Sequence, residues 1–198
     1  MSTESSEPAL TAPSTAVPSA TRATVHAGAH ATVYLRAGQG EPVVLLCARP
    51  RRPLLATLAA RFRVIAPELP RHALPPADGS PVPFSAWLRD FLDGLGVGRA
   101  SVVAEERFAL RTLNFALTDP TRVHRVALLF RDAPDPALSA GALPDLLGRA
   151  GHPLLVHREP DTGGRAAPRT AIAGDVLDFL TGREQPGHTV DTCGARAE

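Results

Sequence analysis

Cysteine is nearly missing from this 198-residue chain: Cys47 closes an apolar run and Cys193 lies near the end. Two thiols so placed form neither a disulfide framework nor a metal-ligand spacing, so a reducing, cytoplasmic setting is expected. Neither sign of charge is in excess. With 21 basic and 20 acidic side chains the formal net charge is +1, and no long-range field draws the chain to nucleic acid or anionic lipid. No apolar run approaches the length of a membrane span. The first residues, Met-Ser-Thr-Glu-Ser-Ser-Glu-Pro, lack the apolar segment of a secretory signal. There is also no P-loop, no G-x-G-x-x-G and no cluster of metal ligands, so neither a cofactor nor a metal is expected.

What the chain does contain is an ordinary core fraction and many prolines. Hydrophobic residues make up 44%, enough for one domain. The 20 prolines crowd into the N-terminal segment and the connections, where they punctuate structure. Residues 1–24, rich in Ala, Ser, Thr and Pro without periodicity, are expected to be a disordered tail, as are residues 182–198. The domain is expected over 25–181. Within it, Ala31–Ala37 alternates as a half-buried strand and Pro42–Cys47 is a continuous apolar run, the mark of a strand covered on both faces. Pro53–Arg61 predicts a helix and Phe62–Ala66 a strand. Ser85 is placed as the cap of a helix whose apolar positions Trp87, Leu88, Phe91, Leu92 and Leu95 recur at helical spacing, stopped by Gly96. Ala100–Ala104 predicts a strand, Arg107–Leu117 a helix, Val123–Phe130 and Pro153–Val156 strands, and 170–180 a last helix. Such alternation implies parallel strands with right-handed crossovers, hence a single doubly wound, mostly parallel α/β sheet.

Phrase by phrase, these elements resemble the α/β-hydrolase fold superfamily. Tyr34-Leu-Arg-Ala-Gly38…Pro42-Val-Val-Leu-Leu46 is similar to the entry into that core. Leu58-Ala-Ala-Arg-Phe-Arg-Val-Ile-Ala-Pro-Glu-Leu69 resembles the next helix, strand and "APDL" turn. Trp87-Leu-Arg-Asp-Phe-Leu-Asp-Gly-Leu-Gly96 resembles the helix ahead of the nucleophile strand, and Leu117–Leu129 the phrase after the nucleophile helix. His152–Asp161 is similar to the strand that delivers the catalytic acid. The resemblance covers roughly 31–181.

The departures fall on the functional positions. In Ser101–Leu110 the G-x-S-x-G elbow is replaced: Ala104, Glu106 and Phe108 stand where the first glycine, the serine and the last glycine belong. A non-glycine residue held in such a strained turn costs on the order of 1–3 kcal/mol, and Phe108 would push helix and strand apart. The turn should therefore relax into a plain strand-to-helix connection. The His-Gly oxyanion motif is replaced by Cys47-Ala48-Arg49-Pro50. From Asp161 the chain passes directly into the final helix, so the last core strand and the loop bearing the catalytic histidine are missing, and so is the cap domain.

The resemblance implies a catalytically degenerate α/β-hydrolase-like protein, a non-catalytic binder of a small acidic or acyl ligand or of a protein partner. The alternative is a non-canonical enzyme in which Glu106 replaces serine on a small ester, thioester or related metabolite. Its candidate catalytic residues are Glu106, His72 in the place of the family's "GHG" turn, and Asp161 (or Glu159) in the place of the triad acid. The ligand-binding candidates are Cys47, Ala48, Arg49, Glu105 and Arg107. Of these, the backbone N–H groups of Ala48 and Arg107 are the remnant of an oxyanion hole. The bland reading of Glu106 is a carboxylate favoured by a helix N-terminus. The missing last strand leaves an open sheet edge, so a homodimer is a third expectation.

Overall fold

The computed structural model describes residues 19–28, 30–48, 52–69, 84–130, 151–158 and 169–183. Seven strands form one sheet: β1 (Thr21–Ala27), β2 (His30–Ala37), β3 (Pro42–Leu46), β4 (Arg63–Pro67), β5 (Ala100–Glu105), β6 (Val123–Phe130) and β7 (Leu154–Arg158). Their order is β1-β2-β4-β3-β5-β6-β7. The first two strands run antiparallel to each other, β2 is antiparallel to β4, and the remaining pairings are parallel. Among the described residues four α-helices cover the sheet: α1 (Arg52–Ala59), α2 (Phe84–Gly94), α3 (Glu106–Thr118) and α4 (Arg169–Thr181). Among the described residues β7 stands at one edge of the sheet and β1 at the other.

The continuous apolar runs have a direct cause, for each central strand feeds two cores. Val44, Leu46, Val102 and Ala104 pack with α2 and α3 on one face, while Val43, Leu45 and Val103 pack with α1 and α4 on the other. On the first face Trp87 stacks on Phe91 at 5.4 Å between ring centroids, and Tyr34 meets Phe91 edge-on. The buried indole N–H is satisfied by Thr32, whose hydroxyl accepts at 3.2 Å.

Glycine matters most at Gly38, between β2 and β3. Its φ is +71°, and a Cβ there would lie 2.2 Å from the Ala59 carbonyl oxygen. The β2–β3 turn therefore closes directly against the last turn of α1. At the end of α2, Gly96 adopts φ +64°, with Gly96 and Val97 N–H bonding back to Asp93 and Leu92. That is the left-handed stop the sequence placed there.

Two expectations change. Residues 21–24 belong to β1, so the ordered domain starts before the boundary set at 24; residues 1–18 lie outside the described residues. Ser85 is the second residue of α2 rather than its cap, and its hydroxyl accepts from the Asn114 amide of α3 at 3.3 Å.

Candidate functional site

In open α/β sheets the chemistry collects at the carboxyl ends of the parallel strands, where connections diverge. Here β3 and β5 lie side by side, with Leu46 in register with Ala104. Cys47 and Ala48 leave the end of β3 beside Glu105, the last residue of β5, and Glu106, the first of α3.

No elbow exists at this junction. Glu105 precedes the helix in extended conformation, φ −71° and ψ 154°. Among the described residues no side-chain-bearing residue has positive φ. The strand runs into α3 with no strained residue, the relaxation expected when serine and glycines go together. Phe108, at the place of the last glycine, is 1% exposed and belongs to the core shared by α2, α3 and the sheet. Its ring fills the space that a tight elbow would close.

Glu105 performs a different task. Although it stands at the N-cap of α3, its side chain makes no capping bond. Instead its Oε2 accepts from the Ala48 N–H at 3.2 Å, tying the end of β5 to the end of β3. The expected anion notch between the Ala48 and Arg107 amides is thus engaged from within, by a carboxylate of the chain itself. Glu106 is exposed in the first turn of α3, where a negative charge suits the helix dipole. Arg107 is exposed as well, its guanidinium carbon 5.6 Å from the centroid of the Phe108 ring. Cys47 is 6% exposed and packs with Leu54 and Leu58 of α1 in the core, so its side chain lines that core rather than the crevice.

Arg49, His72 and Asp161 lie outside the described residues, as does Glu159. The described histidines stand apart from the junction. His124 is exposed on β6. His157 is buried on β7, with β6 between it and Glu105, about 10 Å across two strand spacings. Its Nδ1 lies 3.2 Å from Asp175 Oδ2 of α4. That pair escaped the sequence reading, because only the docking of α4 on β7 brings residues so far apart together. Among the described residues no group of His, Cys, Asp and Glu is arranged to hold a metal ion, and no helix is long and apolar enough to cross a membrane.

A 2-hydroxy-6-oxo-6-phenylhexa-2,4-dienoate hydrolase from Rhodococcus sp. strain RHA1 superimposes with a TM-score of 0.56 at 17% identity, over 79% of this chain and 86% of that one. The chain has the α/β-hydrolase fold. A serine hydrolase involved in carbazole degradation shares this α/β-hydrolase fold, with a TM-score of 0.51 at 18% identity over 81% and 86% of the two chains. Naproxen esterase from Bacillus subtilis aligns at 21% identity and a TM-score of 0.49, covering 66% of this chain and 51% of that one. The chain thus spans about half the length of that esterase. No protein-family model matches the sequence, and no curated relative does.

Proposed function

We propose that this α/β-hydrolase-fold chain acts by binding rather than by acyl transfer. The observation that carries the reading is the Glu105 carboxylate on the Ala48 N–H. A hydrolase of this fold needs its backbone donors directed at the oxyanion that develops during reaction. A fixed carboxylate in that place repels such a charge and occupies its donor. The relaxed β5–α3 junction supports the same reading, because Glu106 stands on a regular helix instead of on a turn that would thrust it at a substrate. The ligand class proposed is an acyl compound in the crevice, an acidic one being disfavoured by the Glu105 carboxylate beside Ala48, or a protein partner on the same surface.

The second reading keeps catalysis with Glu106 as the essential carboxylate. It draws on the exposure of Glu106 at the strand ends. The two readings separate in one assay with purified protein and a short-chain aryl ester. Under the binding reading there is no turnover above the uncatalysed rate, in the wild type or in Glu106→Gln. Turnover abolished by Glu106→Gln without a change in melting temperature establishes the carboxylate enzyme. Turnover indifferent to that substitution refutes both readings. In parallel, Glu105→Ala frees the Ala48 amide, whose hydrogen exchange should rise at a stability cost of about 0.5–1.5 kcal/mol. Thermal shift with acetate, butyrate and an acyl thioester, on wild type and on this variant, then tests the crevice for a ligand. A shift larger in the variant is the expected result.

A further inference from the structure

His152 sits at the opposite end of the sheet, in the Gly151–Pro153 turn that leads into β7. It is 4% exposed, and neither ring nitrogen has a hydrogen-bond partner. A buried, unsatisfied imidazole is costly, and it is far costlier with a proton added. The groups around it make that worse. Arg99, held in place by its Nε–H bond to the Val123 carbonyl at 3.0 Å, sets a positive charge near the ring, and the neighbouring His124 of β6 also disfavours a proton on it. From α3 comes only the Ala116 carbonyl, which favours the protonated ring without forming a bond that satisfies either nitrogen. Arg125 of β6 is engaged elsewhere, over the Phe179 ring of α4. Among the described residues no carboxylate is directed at His152.

Burial, then Arg99, hold the His152 imidazole below the ordinary histidine range, against the Ala116 carbonyl. The sign follows. An unfolded histidine takes its proton near pH ~6.5, before the buried ring does as pH falls. The stability of this region is therefore complete above that value and is lost as pH drops toward the folded value.

The place of the ring decides what gives way. Among the described residues β7 is an edge strand paired with β6 alone, and the Val126 N–H bonds to the carbonyl of Pro153, the next residue after His152, at 3.0 Å. Edge elements with pairing on one side open at lower free energy than the sheet centre. We propose that His152 is an acid-sensitive latch: a proton on the buried ring expels it from beside α3 and releases β7 from β6.

Amide hydrogen exchange on the full chain at pH 7.5 and 5.0, corrected for intrinsic rates, tests the latch in a window where carboxylates stay ionised. The expected result is a fall of about fivefold or more in Val126 protection, with amides of β3 and β5 unchanged. In His152→Phe and in His152→Gln the fall should shrink below about twofold. An equal fall in either variant, a uniform loss across the sheet, or no loss at Val126 overturns the proposal. A direct NMR titration of wild-type His152 serves if neither variant folds. A midpoint well below the ordinary histidine value of about 6.5 supports the latch, and one at or above it refutes the latch.

Discussion

Truncating Phe108 to alanine tests the central structural argument, that the start of α3 is packed into the core rather than held in a tight turn. Phe108 is 1% exposed on the inner face of α3, within the cluster that includes Trp87, Leu88 and Phe115. Burying an aromatic ring of this kind is worth roughly 1.5–3 kcal/mol in transfer alone. The cavity left behind raises the cost of Phe→Ala to about 3–5 kcal/mol, because a helix clamped on a sheet relaxes only partly. Loss of the Arg107 stacking adds about 0.5 kcal/mol, the lower end for an exposed guanidinium. A total of about 4 kcal/mol is a large share of the ~5–15 kcal/mol expected for a domain. The assay is urea denaturation followed by circular dichroism and by the fluorescence of Trp87. The midpoint should fall sharply with an unchanged slope, and the melting temperature should drop by roughly 8–16 °C at this chain length. A loss under about 1 kcal/mol would mean that the ring is not packed as described. In that case the β5–α3 junction would have room for the glycine it lacks, and the argument for a relaxed, refilled elbow would fail.

Two further substitutions test the frame around the site. Gly38→Ala places a Cβ within 2.2 Å of the Ala59 carbonyl at a φ of +71°. It should cost about 2–5 kcal/mol from backbone strain and overpacking together, and a change within about 0.5 kcal/mol in chemical denaturation would refute the contact. Thr32→Val removes the acceptor of the buried Trp87 N–H, with an expected loss of about 1–3 kcal/mol. Trp87 emission would stay blue-shifted, and a red shift would show that the indole had left the core rather than lost one bond.

The elements with a clear period were legible in the sequence. Pro42–Leu46 and Ala100–Glu105 appear as unbroken apolar runs because helices cover both faces of the sheet. The α2 stripe of Trp87, Leu88, Phe91 and Leu92 appears because one side of that helix is buried. β1 was harder to see. Its inward residues Ala23, Val25 and Ala27 do alternate with outward Arg22, Thr24 and His26. Small side chains carry little hydrophobic signal, though, and the strand exists only through its pairing with β2. Replacement of the elbow was equally legible, since Ala104, Glu106 and Phe108 can be counted off in register. The use made of the neighbouring carboxylate was not. Glu105 reaches Ala48 only because β3 and β5 pair with Leu46 opposite Ala104.

The sequence by itself determined the alternation of strand and helix, and that Glu106 and Phe108 stand where the resemblance expects a serine and a glycine. These are matters of residue type and spacing along the chain, and local physics suffices to read them. Tertiary structure alone decided that the Ala48 amide is engaged by Glu105, that Cys47 faces the core, and that His152 is buried beside Arg99 with both nitrogens unpaired. Each of those depends on which segments far apart in sequence the sheet brings side by side. The burial and the electrostatic neighbours of a side chain are set by that pairing, and its identity does not encode them.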